Sequence, residues 1–203
     1  MKSDAIAFGI AGVAFGLIAG WVIGSQQTTA RVPAAAVQPV APEATSASAP
    51  AVLDQAQVNA LKSVAERDGS NPKPRAELGN LYFDAERYAE AITWYAEALK
   101  LGPTDVNVST DLGVSYYYTN QPDKALEQFE RSLKLDPRHI KTLFNQGIVR
   151  AFGKQDLAGA SRAWQQVIQL APDSPEAEAA RRALDSLKSA HPDLGGAPQK
   201  PDA

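Results

Sequence analysis

The sequence predicts an all-α fold in which three stacked helical hairpins with flanking helices form a solenoid behind one N-terminal transmembrane helix. Three observations lead there. Ala5 to Gly24 are twenty consecutive uncharged positions, AIAFGIAGVAFGLIAGWVIG. After Val52, apolar residues recur at the helical period and no stretch alternates for long as a strand would. Leu78-Gly79 returns as Leu112-Gly113 and then as Gln146-Gly147, a spacing of 34.

The first element is the membrane span. Twenty helical residues reach about 30 Å, the hydrocarbon thickness of a bilayer. Lys2 and Asp4 precede the run, Ser25 to Thr28 follow it, and Trp21 suits an interfacial ring. A cleaved signal peptide has a shorter apolar core with small residues just beyond it. Here Ala34-Ala35-Ala36 come ten positions too late. Residues 1–24 are therefore read as an uncleaved single-pass anchor. A short N-terminal flank before a large C-terminal domain is a signal-anchor layout, which places the soluble domain outside the cytoplasm, in the periplasm of a bacterium. Gly12, Gly16, Gly20 and Gly24 recur every fourth residue. Such a stripe lets two helices approach closely in lipid, a surface for self-association or for pairing with another membrane helix.

Residues 25–51, with Pro33, Pro39, Pro42 and Pro50 among alanines and serines, read as a disordered, partly extended linker. An N-terminal flanking helix is expected over 52–71. Its apolar face is Leu53, Ala56, Ala60, Leu61 and Val64, and it ends near Asp68-Gly69. The repeats occupy 72–173. Tyr82 recurs as Tyr116; Ala91 as Ala125 and Ala160; Tyr95 as Phe129 and Trp164; Pro103 as Pro137 and Pro172. Each position has a packing reason. Glycine and alanine suit the crossing of two antiparallel helices, the aromatic residue fills the wedge between hairpins, and proline stops the second helix. The third unit carries one extra residue, expected in the turn Gly153 to Asp156, because turns tolerate insertion.

On these residues the units resemble the tetratricopeptide repeat family, with repeats at 72–105, 106–139 and 140–173. In the third unit Gln146 and Arg150 depart from the family's Leu and Tyr, which implies looser packing or a polar neighbour for that helix. A capping helix follows over 174–190, opened by Ser174 and Pro175. Its Ala177, Ala180, Leu184 and Leu187 face inward, while Arg181, Arg182 and Lys188 face water. Residues 191–203 read as a disordered tail.

Catalytic chemistry is not expected. There is no cysteine, so thiolate metal sites, disulfides and Cys nucleophiles are excluded. The two histidines lie far apart, His139 as a solvated loop residue and His191 at the end of the capping helix, where a cation suits the dipole. Carboxylates are dispersed, and no glycine-rich phosphate loop follows a strand. No cofactor and no metal are expected. With Lys+Arg 20 against Asp+Glu 23 and a net charge of −3, nucleic acid is excluded as a partner.

The resemblance implies a concave groove lined by the first helix of each repeat and receiving a protein or peptide. Carried onto this sequence, that inner face is Lys73, Ala76, Asn80, Phe83 and Asp84 in the first unit. The second supplies Asn107, Thr110, Asp111, Val114, Tyr117 and Tyr118, and the third Lys141, Phe144, Asn145, Ile148 and Phe152. Some relatives clamp a C-terminal carboxylate with two Lys, two Asn and an Arg. Asn80 and Lys141 match that pattern, whereas Ala76, Asp111 and Asn145 remove two cations and add an anion, so that clamp is not expected here. Anchor, linker and small repeat domain together are similar in layout to bacterial membrane-anchored proteins of cytochrome c biogenesis. That layout implies a membrane-tethered, non-catalytic adaptor. The alternative is a structural assembly subunit that uses the glycine-striped anchor and the convex surface.

Overall fold

The computed structural model describes residues 51–191. The anchor at 5–24 with Gly12, Gly16, Gly20 and Gly24, the linker up to residue 50 and the tail from residue 192 lie outside the described residues. Among the described residues there is no strand, and no helix is long and apolar enough to cross a membrane.

Eight α-helices follow one another among the described residues: α1 (Gln55–Arg67), α2 (Lys73–Asp84), α3 (Tyr88–Leu101), α4 (Val106–Tyr118), α5 (Pro122–Leu135), α6 (Ile140–Ile148), α7 (Leu157–Leu170) and α8 (Pro175–Ala190). Each packs on the next, so α2/α3, α4/α5 and α6/α7 form three hairpins in a row between α1 and α8. Start signals are local. Asp54, Asp105, Asp156 and Ser174 each accept a hydrogen bond from a backbone N–H of the first turn they precede. Pro122 and Pro175 stand in first turns, where a missing amide costs nothing.

The repeated glycine has a direct cause. A Cβ on Gly79 would overlap the ring of Tyr95, one on Gly113 the ring of Phe129, and one on Gly147 the indole of Trp164. The aromatic residue thus lies over the glycine of its own hairpin, closing it, rather than only wedging one hairpin from the next. Ala91, Ala125 and Ala160 are fully buried beneath these crossings. The first hairpin is continuous with α1 and α4 through a buried cluster of Val58, Leu78, Tyr82, Tyr95, Val108 and Leu112.

Two expectations change at the flanks and in the third unit. Helix α1 is rotated from its expected face. Val58, Leu61 and Ala65 turn inward, while Ala56, Ala60 and Val64 are exposed, and the Arg75 guanidinium donates to Ala65 O at 3.2 Å, tying the end of α1 to α2. The extra residue of the third unit is not in the turn. Glu86, Asn120 and Gln155 occupy one place in the three turns, with φ of 56°, 59° and 56°, so the turn itself is unaltered. Helix α6 instead continues as a π-helical segment, Val149–Gly153, in which Lys154 N–H reaches Val149 O. A π turn stores one additional residue inside a helix and leaves the geometry of the next turn intact.

Arg150 meets the polar neighbour that its departure from Tyr implies. It pairs with Asp156 at 2.8 Å, and the other Asp156 oxygen accepts from Gly159 N–H at 2.8 Å. The Gly159 amide first, and Arg150 second, hold the Asp156 carboxyl below its ordinary value. Asp156→Ala is expected to cost about 1 kcal/mol through loss of the cap of α7. In the wild type this contribution is present above the unfolded carboxyl value and fades as pH falls through the lower folded one. Urea midpoints at neutral and acid pH check both statements; a pH-independent difference between the two proteins would contradict the linkage.

Candidate peptide-binding groove

The first helices of the three hairpins, α2, α4 and α6, present one face each at positions about one turn apart, running from Lys73, Asn107 and Lys141 at their starts to Asp84, Tyr118 and Phe152 at their ends. Of the expected lining, Lys73, Asn80, Asp84, Asn107 and Phe152 are exposed, and Ala76, Phe83, Asp111, Val114, Tyr117, Tyr118, Lys141 and Ile148 are half-buried. Three are placed otherwise. Thr110 is 0% exposed, Phe144 1% and Asn145 8%. Thr110 Oγ1 meets Thr142 Oγ1 at 2.6 Å across the α4/α6 contact. The carbonyl of Phe144 accepts from the Trp164 indole at 3.2 Å. Asn145 turns back and donates to Lys141 O at 2.8 Å. These three side chains are buried, so they do not belong to the solvent-reached part of the inner face.

Its polar floor is a chain of paired groups. Tyr95, buried in α3, donates its hydroxyl to Asn80 Oδ1 at 2.8 Å. Asp111 accepts from Lys141 Nζ at 2.6 Å. Burial pushes the Asp111 carboxyl above its ordinary value, with Lys141 opposing. Asp84 is raised in the same sense, burial first and Lys141 again opposing. Both carboxylates raise the Tyr95 phenol further, after burial itself. Lys141 thus serves two carboxylates. His139, expected in solvent, is half-buried and bridges α4 and α6, Nδ1 to Thr142 Oγ1 at 2.7 Å and Nε2 to Asn107 Oδ1 at 3.1 Å.

The other end of the groove is aromatic. Tyr88 and Tyr118 stack with centroids 4.4 Å apart and 12° between planes. Phe83 meets both edge-on, at 5.3 and 6.2 Å. Tyr117 lies 6.0 Å from Tyr118 and reaches Gly153, where an added Cβ would stand 3.2 Å from its ring. These tyrosines therefore also wedge neighbouring hairpins together. Burial, then Tyr118, pushes the Tyr117 hydroxyl up to about 12. Sequence reasoning missed Tyr88 because Pro122 and Leu157 hold its place in the other two units. Its signal was proximity, five residues beyond Phe83 across a turn. Among the described residues no group of three or more His, Asp or Glu stands together to hold a metal ion.

Two family models, both described as tetratricopeptide repeat, match residues 74–138 and 110–175, together just over half of the chain. The Hsp70-Hsp90 organizing protein 3 of Arabidopsis thaliana is 27% identical over 115 residues, 56% of this chain and 20% of that protein. The chain thus spans about a fifth of that relative's length. MamA from Desulfovibrio magneticus RS-1 is similar in structure, with TM-score 0.60 and 21% identity, covering 68% of this chain and 76% of that one. The first repeat domain of Spaghetti (RPAP3), bound to the HSP90 peptide SRMEEVD, gives TM-score 0.52 and 22% identity over 68% of this chain and 95% of that one.

Proposed function

Because the chain belongs to the tetratricopeptide repeat family, we propose that it is a non-catalytic adaptor holding a segment of another protein in the groove of α2, α4 and α6. The observation that carries this is the inner-face set of exposed Asn80 and Asp84 on α2 and half-buried Lys141 and Ile148 on α6. It combines amide, charge and apolar surface, as interfaces that read a peptide do. A solved structure of similar fold with a bound HSP90 peptide supports the reading. The apolar run Ala5 to Gly24 supports a membrane-tethered form of the adaptor, its repeat domain outside the cytoplasm and its glycine stripe available to a second membrane helix. Within that form, the layout resemblance makes assembly of c-type cytochromes the process to test first.

Photo-crosslinking in the native membrane tests the groove. A crosslinking residue at Asn80 or Ile148 is expected to give partner adducts that one at exposed Glu127, on α5, does not. Adducts bearing a CxxCH sequence would support the cytochrome reading. Equal labelling at all three positions would overturn the groove and favour a tethered structural subunit.

A further inference from the structure

The groove carries more negative charge than its lysines neutralise. Lys141 is taken up by Asp111 at 2.6 Å. Lys73 stands at the far end, in a shallow cleft with Asp105, Pro72 and Val108. At the aromatic end the charges are Asp84 and Glu86. Both are exposed and lie between Phe83 and Tyr88, Asp84 next to Phe83 and Glu86 two residues before Tyr88. The Tyr88 and Tyr118 phenols are both raised in part by Glu86, after burial. Arg87, the cation of the same turn, pairs with Glu90 and lies 5.1 Å over the Tyr82 ring. Among the described residues neither of these exposed carboxylates forms an ion pair; Lys141, which acts on Asp84 at a distance, makes its contact with Asp111. Aromatic faces and carboxylates attract the same kind of side chain, one with an apolar stem and a positive head.

Resting on the groove reading, we propose that the bound segment carries a Lys or Arg side chain at the end lying against Phe83, Tyr88 and Tyr118, where Asp84 and Glu86 receive its cation. An acidic tail is the wrong occupant: it would meet Asp111, Asp84 and Glu86 with Lys141 already paired. Discrimination of this kind rests on the repelled charge as much as on the attracted one.

A phage-displayed library of random dodecapeptides, panned on the full chain in detergent micelles, tests this. Selected peptides are expected to share a Lys or Arg at one fixed position. Exchanging that residue for Glu is expected to weaken binding about tenfold by fluorescence anisotropy, the sum of a cation–π contact and a carboxylate contact at a partly exposed site. In Asp84→Asn/Glu86→Gln the basic preference should vanish while helical circular dichroism persists. Selection of neutral or acidic residues at every position, or an unchanged preference in the double variant, overturns the charge proposal and leaves the groove standing. Enrichment no greater than on Asn80→Trp/Ile148→Trp, which fills the groove, overturns the groove reading and this proposal together.

Discussion

Phe129→Ala is expected to lower stability by about 3–5 kcal/mol, the range for removing a fully buried aromatic ring. The informative experiment pairs it with Gly113→Ala. In the wild-type chain a Cβ at residue 113 meets the Phe129 ring. Overpacking of this kind costs about 1–3 kcal/mol, more than the gain of about 1 kcal/mol when alanine replaces glycine inside a helix. With the ring absent only the propensity gain remains, so Gly113→Ala should change sign, destabilising wild type and stabilising Phe129→Ala. Urea unfolding of the four proteins yields the coupling directly. An equal effect of Gly113→Ala in both backgrounds would mean that the ring is not the reason for the glycine.

Lys141→Met and Asp111→Asn should differ although they break the same ion pair. The Asp111 side chain is 20% exposed and the Lys141 side chain 41%. Losing the lysine strands a carboxylate among protein atoms. Losing the carboxylate strands an ammonium that turns to water. Lys141→Met is therefore expected to cost about 1–2 kcal/mol at pH 7, below the range for fully buried pairs because Lys141 is partly solvated. Asp111→Asn should be close to neutral. The pH dependence follows from direction. The folded Asp111 carboxyl lies above the unfolded value of 3.8, so folding takes up a proton in the window between them. Stability contributed by this group rises as pH falls through that window and is lowest above it. The cost of Lys141→Met should consequently shrink on acidification, as Asp111 takes a proton. Urea midpoints taken from pH 7 down to the unfolded carboxyl value of 3.8 measure this, and a cost that does not shrink over that range would refute the account.

The hairpin order was legible because one packing constraint occurs three times. A glycine beneath a ring leaves the same spacing wherever two helices cross closely, and Gly79, Gly113 and Gly147 carry it openly. The place of the added residue was not legible. Spacing shows only that a residue was gained between Gly147 and Ala160, and turn against helix is decided by which hydrogen bonds survive. The inner face was readable from the helical period, but which of its residues solvent reaches was not. Helical period puts Thr110, Phe144 and Asn145 on the inner face, but whether a facing residue is reached by solvent depends on how closely α4 and α6 approach. For Thr110 that approach is marked by its contact with Thr142, 32 residues on in the chain. Tyr88 does not recur in the other two units and became visible only through its stack on Tyr118.

Among the described residues α1 and α8 flank the row of hairpins, and under the proposed function that sets how much of a partner the groove would hold. Helices that pack side by side stand about 8–10 Å apart. Three of them offer about 20–30 Å of groove, or six to nine residues of extended chain at about 3.3 Å each. Under the proposed function, a reader that short would work as a ruler for a motif, indifferent to the fold around it. It would accept any protein that can unwrap such a stretch, and the choice among them would pass to where the reader is held and what is brought near it.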